Sequence, residues 1–213
     1  MKTPLLTCLM AVLLACTAHA QSSFQPETSL GIKGGLNLSN YTFDPNITQQ
    51  ARTAYTGGLV FKHIAQRKLG IQLEANFVQR GWTETTASGG TFTRELDYLE
   101  VPFMTHVAIG QRTRFILNFG PNASFLLNSP AGAPIPEGQT EQGYYQKPID
   151  NEFMIALSLG IGMSKITSFG EFQLEARLTQ GLNDIFDIEQ NVATSRNTNV
   201  GLTLVYLLNL RRN

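Results

Sequence analysis

Apolar and polar residues alternate along most of this chain, and the two faces built by the alternation ask for different surroundings. Between Leu96 and Ile109, Leu99, Val101, Phe103, Thr105 and Val107 fall on one side of an extended strand, with Tyr98, Glu100, Met104 and His106 on the other. The same period of two recurs before and after this stretch. Leu30, Ile32, Leu36 and Leu38 oppose Lys33, Asn37 and Ser39, with Gly34-Gly35 suited to curving a sheet. From Tyr55 to His63, Leu59 and Phe61 oppose Thr56, Gly58 and Lys62. From Leu69 onward, Ile71, Leu73, Ala75 and Phe77 oppose Gln72, Glu74, Asn76 and Arg80. Phe115, Leu117, Phe119, Ala123 and Phe125 oppose Asn118, Gly120, Asn122 and Ser124. Phe153, Ile155, Leu157, Leu159 and Ile161 oppose Ala156, Ser158, Gly160 and Gly162. Phe172, Leu174, Ala176 and Leu178 oppose Gln173, Glu175, Arg177 and Thr179. Finally, Val200, Leu202, Leu204, Tyr206 and Leu208 oppose Asn199, Gly201, Thr203 and Asn209.

Eight such strands of roughly ten residues each have the length that a tilted strand needs to cross a bilayer. Charge on one face and aliphatic side chains on the other predict an all-β fold, an eight-stranded antiparallel up-and-down transmembrane β-barrel with a polar lumen. The connections support it. Long ones, over residues 40–53, 83–94, 128–151 and 183–197, alternate with short ones at Gln66-Arg67-Lys68, Gly110-Gln111-Arg112 and Thr167-Ser168. Long outer loops and short periplasmic turns give that rhythm. Tyr41, Phe43, Tyr55, Trp82, Phe92 and Phe186 lie toward the long-loop ends and are expected to form an interfacial girdle. In lipid the sheet must close, so the last strand must pair with the first. Pro102 cannot donate to a ladder without edges, which predicts a bulge or a locally missing bond there, with Pro102 facing the lumen.

The start of the chain is of a different kind. Lys2, an apolar run from Leu5 to Ala15 and then Ala18-His19-Ala20 read as a secretory signal spanning residues 1–20, leaving 21–213 as the barrel domain. Leu13-Leu14-Ala15-Cys16 admits a competing reading with Cys16 lipidated, although the Ala-x-Ala site is well placed. Cleavage after Ala20 removes both cysteines, so the remaining chain has no disulfide or thiolate metal site. It also leaves acidic and basic residues nearly equal, which offers no bulk attraction to nucleic acid.

The inward positions bring Lys33, Lys62, Arg80 and Arg177 beside Glu74, Glu100 and Glu175. Eight strands enclose a space that side chains can fill, so these groups are expected to pair into a structural plug that excludes general diffusion of solutes. Catalysis at the outer mouth lacks its base, because His63 and His106 both fall near the short-turn end. Asp184, Asp187 and Glu189, with Asp150 and Glu152, are read as solvated loop acids rather than a cation site, and no cofactor site is read. The loop from Asn128 to Asn151 is the candidate partner-binding segment, stiffened by Pro130, Pro134 and Pro136 and carrying Tyr144 and Tyr145 as contact area.

Gly31-Ile32-Lys33-Gly34-Gly35-Leu36-Asn37, Leu73-Glu74-Ala75 running to Gln79-Arg80-Gly81, Tyr98-Leu99-Glu100-Val101-Pro102, Phe119-Gly120-Pro121 and Leu174-Glu175-Ala176-Arg177 with Gly181-Leu182 together resemble the PorT-like family of outer-membrane β-barrels. The resemblance spans nearly the whole chain after the signal. It implies the outer membrane of a Gram-negative, Bacteroidota-type envelope, and one namesake of the family is linked to protein secretion. Asn199, Gly201, Leu204 and Tyr206 further resemble the signal read by the barrel-assembly machinery, although the chain continues to Asn213 without a terminal aromatic. The expected partners are outer-membrane lipid, that machinery, and an envelope or extracellular protein. The expected role is structural, binding or accessory to envelope assembly and secretion. Two other classes remain open. A soluble periplasmic lipocalin-like calyx would invert the alternation and bind an apolar small molecule. A membrane-embedded acyltransferase or protease would need the missing base.

Overall fold

A computed structural model describes residues 24–44, 49–85, 90–130, 148–187 and 194–210. Eight strands make up the fold: β1 (Glu27–Asp44), β2 (Gln49–Ile64), β3 (Leu69–Thr85), β4 (Thr91–Gly110), β5 (Thr113–Asn128), β6 (Phe153–Ile166), β7 (Glu171–Gly181) and β8 (Thr194–Asn209). Each pairs antiparallel with the next, and β8 returns to β1, with Leu208 opposite Leu30 and Val200 opposite Leu38. The sheet is thus a closed barrel, the arrangement in which no ladder group faces lipid unpaired. Among the described residues no helix is long and apolar enough to cross a membrane, which leaves the strands to do it.

The alternation holds strand by strand. Leu30, Ile32, Leu36 and Leu38 are exposed on the outside of β1, whereas Lys33, Asn37 and Ser39 are buried inside. The soluble calyx required the reverse. Instead Ile32 is 61% exposed and Leu59 58% exposed, while Glu74 and Arg80 are buried. So extensive an apolar outer surface requires lipid around it. Along β1 the apolar outer positions run from Leu30 to Leu38, roughly 20–25 Å of bilayer for a strand tilted by about 40°.

Several boundaries differ from the sequence expectation. Residues 40–44, 49–53 and 91–94 are strand rather than loop, so the first two outer connections shrink to 45–48 and 86–90. Their outward residues, among them Asn40, Thr42, Asp44, Thr91 and Thr93, are polar, so the wall of β1–β4 continues past the apolar belt into water. Hydrogen bonding between paired strands needs no lipid to persist, and the period of two simply changes its outer chemistry. The wall is lower at β5, β6 and β7, where the connections 129–152 and 182–193 begin and end.

The expected outer girdle is also corrected. Of its members, Tyr55 is 70% exposed, but Tyr41, Phe43, Trp82, Phe92 and Phe186 are buried inside. The continued strands carry odd-numbered Tyr41 and Phe43 on the same inward face as Lys33 and Asn37. Pro102 faces the lumen as expected. Pairing of β3 with β4 lapses between Leu73↔Phe103 and Asn76↔Glu100 and resumes in the same register, so a ladder bond is missing without a bulge. A second lapse, between Pro102↔Asn122 and Thr105↔Phe119, surrounds Pro121 on the next strand.

Candidate functional site

The interior is filled from the outer mouth to the periplasmic rim. At the mouth, Tyr41 and Phe43 of β1, Trp82 of β3, Leu96 and Tyr98 of β4 and Met154 of β6 form one apolar cluster. The Trp82 ring lies 5.0 Å from Tyr41 and 5.2 Å from Phe43, centroid to centroid. Ile149, Ile185 and Phe186 enter the cluster from the connections on the low side of the wall. Backbone bonds hold them there. Asp150 and Asn151 N–H groups donate to the Ile185 carbonyl at 3.2 and 3.1 Å, and Phe186 N–H donates to Ser195 Oγ at 3.0 Å.

Below the aromatic rings the lining becomes ionic. The Arg80 guanidinium lies 5.0 Å from the Tyr98 ring centroid and pairs with Glu100, whose other oxygen accepts from Asn122 Nδ2 at 3.0 Å. Glu74 is the hub of the next group. It accepts from Lys33 Nζ at 2.8 Å, from Arg177 Nη1 and Nη2 at 2.8 and 2.6 Å, from Gln72 at 2.6 Å and from Asn76 at 2.7 Å. Arg177 Nε donates back along β7 to Glu175 at 2.5 Å, and Asn118 Nδ2 donates to the same carboxylate at 2.6 Å. A buried carboxylate satisfied on both oxygens by fixed donors is a rigid element, because each lost bond would expose an uncompensated charge.

Room for this network comes from β6, whose inward face is Ala156, Ser158, Gly160 and Gly162. Gly160 is paired with Arg177, and a Cβ there would collide with the Glu175 carboxylate. Toward the periplasm Lys62 pairs with Glu171 at 2.6 Å, with Val60, Val205 and Leu207 packed beside them. A void of about 30 Å³ lies among Lys33, Asn76, Glu100 and Arg177, enough to admit water between the charged groups.

All seven luminal residues read from the sequence therefore lie inside, and the structure distributes them over neighbouring ion pairs. Lys33, Glu74, Arg177 and Glu175 form one connected group, Arg80 and Glu100 a second, and Lys62 takes a partner the sequence reading omitted. That partner, Glu171, begins β7 and shares parity with Gln173, which was the available signal. With it the four cations meet four carboxylates. The inward apolar residues Val60, Ile64, Ile116, Val205 and Leu207 were also missed, although their even or odd spacing places them.

The remaining predicted sites are scattered. Pro134, Pro136, Tyr144 and Tyr145 lie outside the described residues, as do the signal segment and Glu189. At their edge a cleft of about 370 Å³ opens between residues 126–129 and Pro148-Ile149, with Arg94 and Glu152 at its polar border. Asp150, Asp184 and Asp187 accept from Asp187 N–H, Ser195 N–H and Asn151 Nδ2 at 3.1, 2.5 and 3.1 Å, so these acids fasten the outer connections to one another. Asn199 accepts from Asn37 at 3.0 Å inside the barrel, Gly201 faces Asn37 and Arg177 across the ladders, and Leu204 points to lipid. Tyr206 sits at the periplasmic interface, donating to the Phe169 carbonyl at 2.8 Å. His63 bonds Thr28 at 2.9 Å and His106 bonds Asn118 at 2.6 Å, both toward the short-turn end and away from the mouth.

Residues 19–187 match the profile of the outer membrane protein beta-barrel domain family. The chain belongs to that family. Its membership and its closed, lipid-facing barrel place it in the outer membrane of a Gram-negative bacterium. Solved members of this architecture agree in fold. The outer membrane protein OprG from Pseudomonas aeruginosa superposes with a TM-score of 0.54 at 12% identity, over 84% of this chain and 95% of that one. The outer membrane protein AlkL, determined by solid-state NMR in lipid bilayers, gives a TM-score of 0.50 at 11% identity, over 91% and 96%. No curated protein matches the sequence.

Proposed function

We propose that the protein is a closed outer-membrane anchor that works through its outer rim, binding an envelope or extracellular protein, and is not a porin. The filled lumen supports this reading. A solute would have to displace the aromatic cluster at the mouth, the Glu74-centred ion pairs and the Lys62–Glu171 pair in turn. Motifs shared with PorT-like barrels favour an accessory task in envelope assembly or secretion, and the pattern through Asn199, Gly201, Leu204 and Tyr206 favours handling by the barrel-assembly machinery. The reading assigns no catalysis, since both histidines of the barrel are engaged at the periplasmic end.

Conductance across planar bilayers tests it. Wild-type protein should insert without unit current steps, whereas Glu74→Ala/Arg177→Ala combined with Phe186→Ala should open a narrow, fluctuating path. Steady unit conductance from the wild type would overturn the closed reading. A photo-crosslinker at Glu152 should trap a protein in intact cells, and one at the lipid-facing Leu202 should not. Equal capture at both positions would remove the case for a rim partner.

A further inference from the structure

The cations of the periplasmic end are distributed unequally between the lumen and the surface. Those turned inward or lying at the strand edge are neutralised, Lys62 by Glu171 at 2.6 Å and Arg114 by Glu27 at 3.0 Å. Arg67 and Lys68 in the β2–β3 turn, Arg112 in the β4–β5 turn and Lys165 near the end of β6 are exposed, and no ion pair to them is found among the described residues. Two backbone bonds bring these positions into one row. Ala108 N–H donates to the Lys68 carbonyl at 2.9 Å, and Ile166 N–H donates to the Arg112 carbonyl at 2.8 Å. Lys165 is itself paired with Thr113. The charges therefore follow an arc along the β3–β6 side of the rim.

Their height is set by the residues beside them. Lys165 points outward two pairs beyond Phe115↔Met163, both exposed on the apolar belt. Its other neighbour across the ladder is Phe172, whose ring lies 5.8 Å from Phe169 and 5.1 Å from Tyr206. Aromatic groups with a hydroxyl at strand ends mark the level of the lipid headgroups. A lysine stem emerging at that level lies along the acyl boundary and carries its ammonium into the phosphate layer. Arg67, Lys68 and Arg112, on turns just past the strand ends, reach the same layer from its aqueous side. Among the described residues of the opposite rim, the half-buried Arg52 is compensated by Glu95 at 2.6 Å and the exposed Arg196 by Asp184 at 3.6 Å.

We propose that Arg67, Lys68, Arg112 and Lys165 form a binding arc for the phosphate groups of anionic glycerophospholipids in the periplasmic leaflet. The occupant follows from charge complementarity and from depth. An uncompensated row of cations at headgroup level, continuous with the apolar belt above it, fits an amphiphile whose chains lie on the belt and whose negative charge lies on the arc. Each basic residue at an anionic bilayer surface is worth on the order of fivefold in lipid partition.

Protein reconstituted into equimolar phosphatidylcholine and phosphatidylglycerol, released intact and weighed with its retained lipids by native mass spectrometry, provides the test. Wild type should retain phosphatidylglycerol over phosphatidylcholine by about fivefold or more. Arg67→Gln/Lys68→Gln/Arg112→Gln/Lys165→Gln should lose that preference, and Arg52→Gln/Arg196→Gln should keep it. Should the quadruple variant fail to fold, raising the salt on wild-type bilayers supplies the same comparison, because screening should erase the preference. Equal retention of the two lipids by wild type overturns the proposal. So does a preference that persists in the folded quadruple variant, or in wild type at high salt, which would place the selectivity for anionic lipid outside the arc.

Discussion

Glu74 shows how one position on a strand acquires its role. Nothing separates it from Glu175 in the alternation, since both are inward carboxylates in the middle of a strand. In the barrel, however, Glu74 collects donors from β1, β3 and β7, while Glu175 relies on Arg177 and two amides. Glu74→Ala would leave Lys33 buried without its partner and Arg177 with half of its own. The expected loss is about 3 kcal/mol, at the lower end of what breaking a buried pair costs because some water can enter. Urea unfolding in phosphatidylcholine vesicles, followed by the fluorescence of Trp82, would measure it. A change of under about 1 kcal/mol would show that the hub is already hydrated.

At the scale of elements, the outer connections matter more than the strands they join. The segment 182–187 inserts Ile185 and Phe186 into the mouth, yet it is held by backbone bonds to residues 150–151 and to Ser195 rather than by a ladder. Such a piece can open without unfolding the barrel. Phe186→Ala should therefore speed amide exchange of Asn151 and Phe186 by roughly a hundredfold, the cost of deleting one buried ring, while leaving the strand amides protected. Exchange mass spectrometry resolves the two sets. Uniform acceleration across all strands would mean that the segment is part of the barrel's cooperative unit.

For the whole molecule the decisive feature is the seam where the last strand meets the first. A Cβ at Gly31 would lie 2.9 Å from Leu207 Cα, and one at Gly35 would lie 2.8 Å from Thr203 Cα, so both glycines let β1 and β8 approach. The ring of hydrogen bonds closed there should resist detergent until heated, giving a band that migrates faster unboiled than boiled. Gly31→Val/Gly35→Val should separate the seam and remove most of the fast-migrating band, whereas Leu36→Val beside it should not. Retention of the band in the double valine variant would show that the seam tolerates bulk.

The local alternation of side chains, together with a bilayer as solvent, determined the strand count, the faces, the up-and-down order and the polar character of the lumen. A period of two carries that information within a few residues, and lipid reverses its usual sense. The inward parity of Glu171, Val60 and Leu207 was equally present in the sequence; Glu171 stood at a strand end, where boundaries are hardest to place, and Val60 and Leu207 are apolar residues on a face read by its polar members. Other features required the closed barrel itself. Tyr41, Phe43 and Trp82 became a plug rather than a girdle because the strands continue past the lipid, and hydrogen bonding between strands sets that length. The choice of Glu74 as hub, the room supplied by Gly160 and the arc joining Lys68, Arg112 and Lys165 depend on residues brought together across strands. Their separation along the chain hides them from any local pattern, and only the register of a closed sheet puts them in contact.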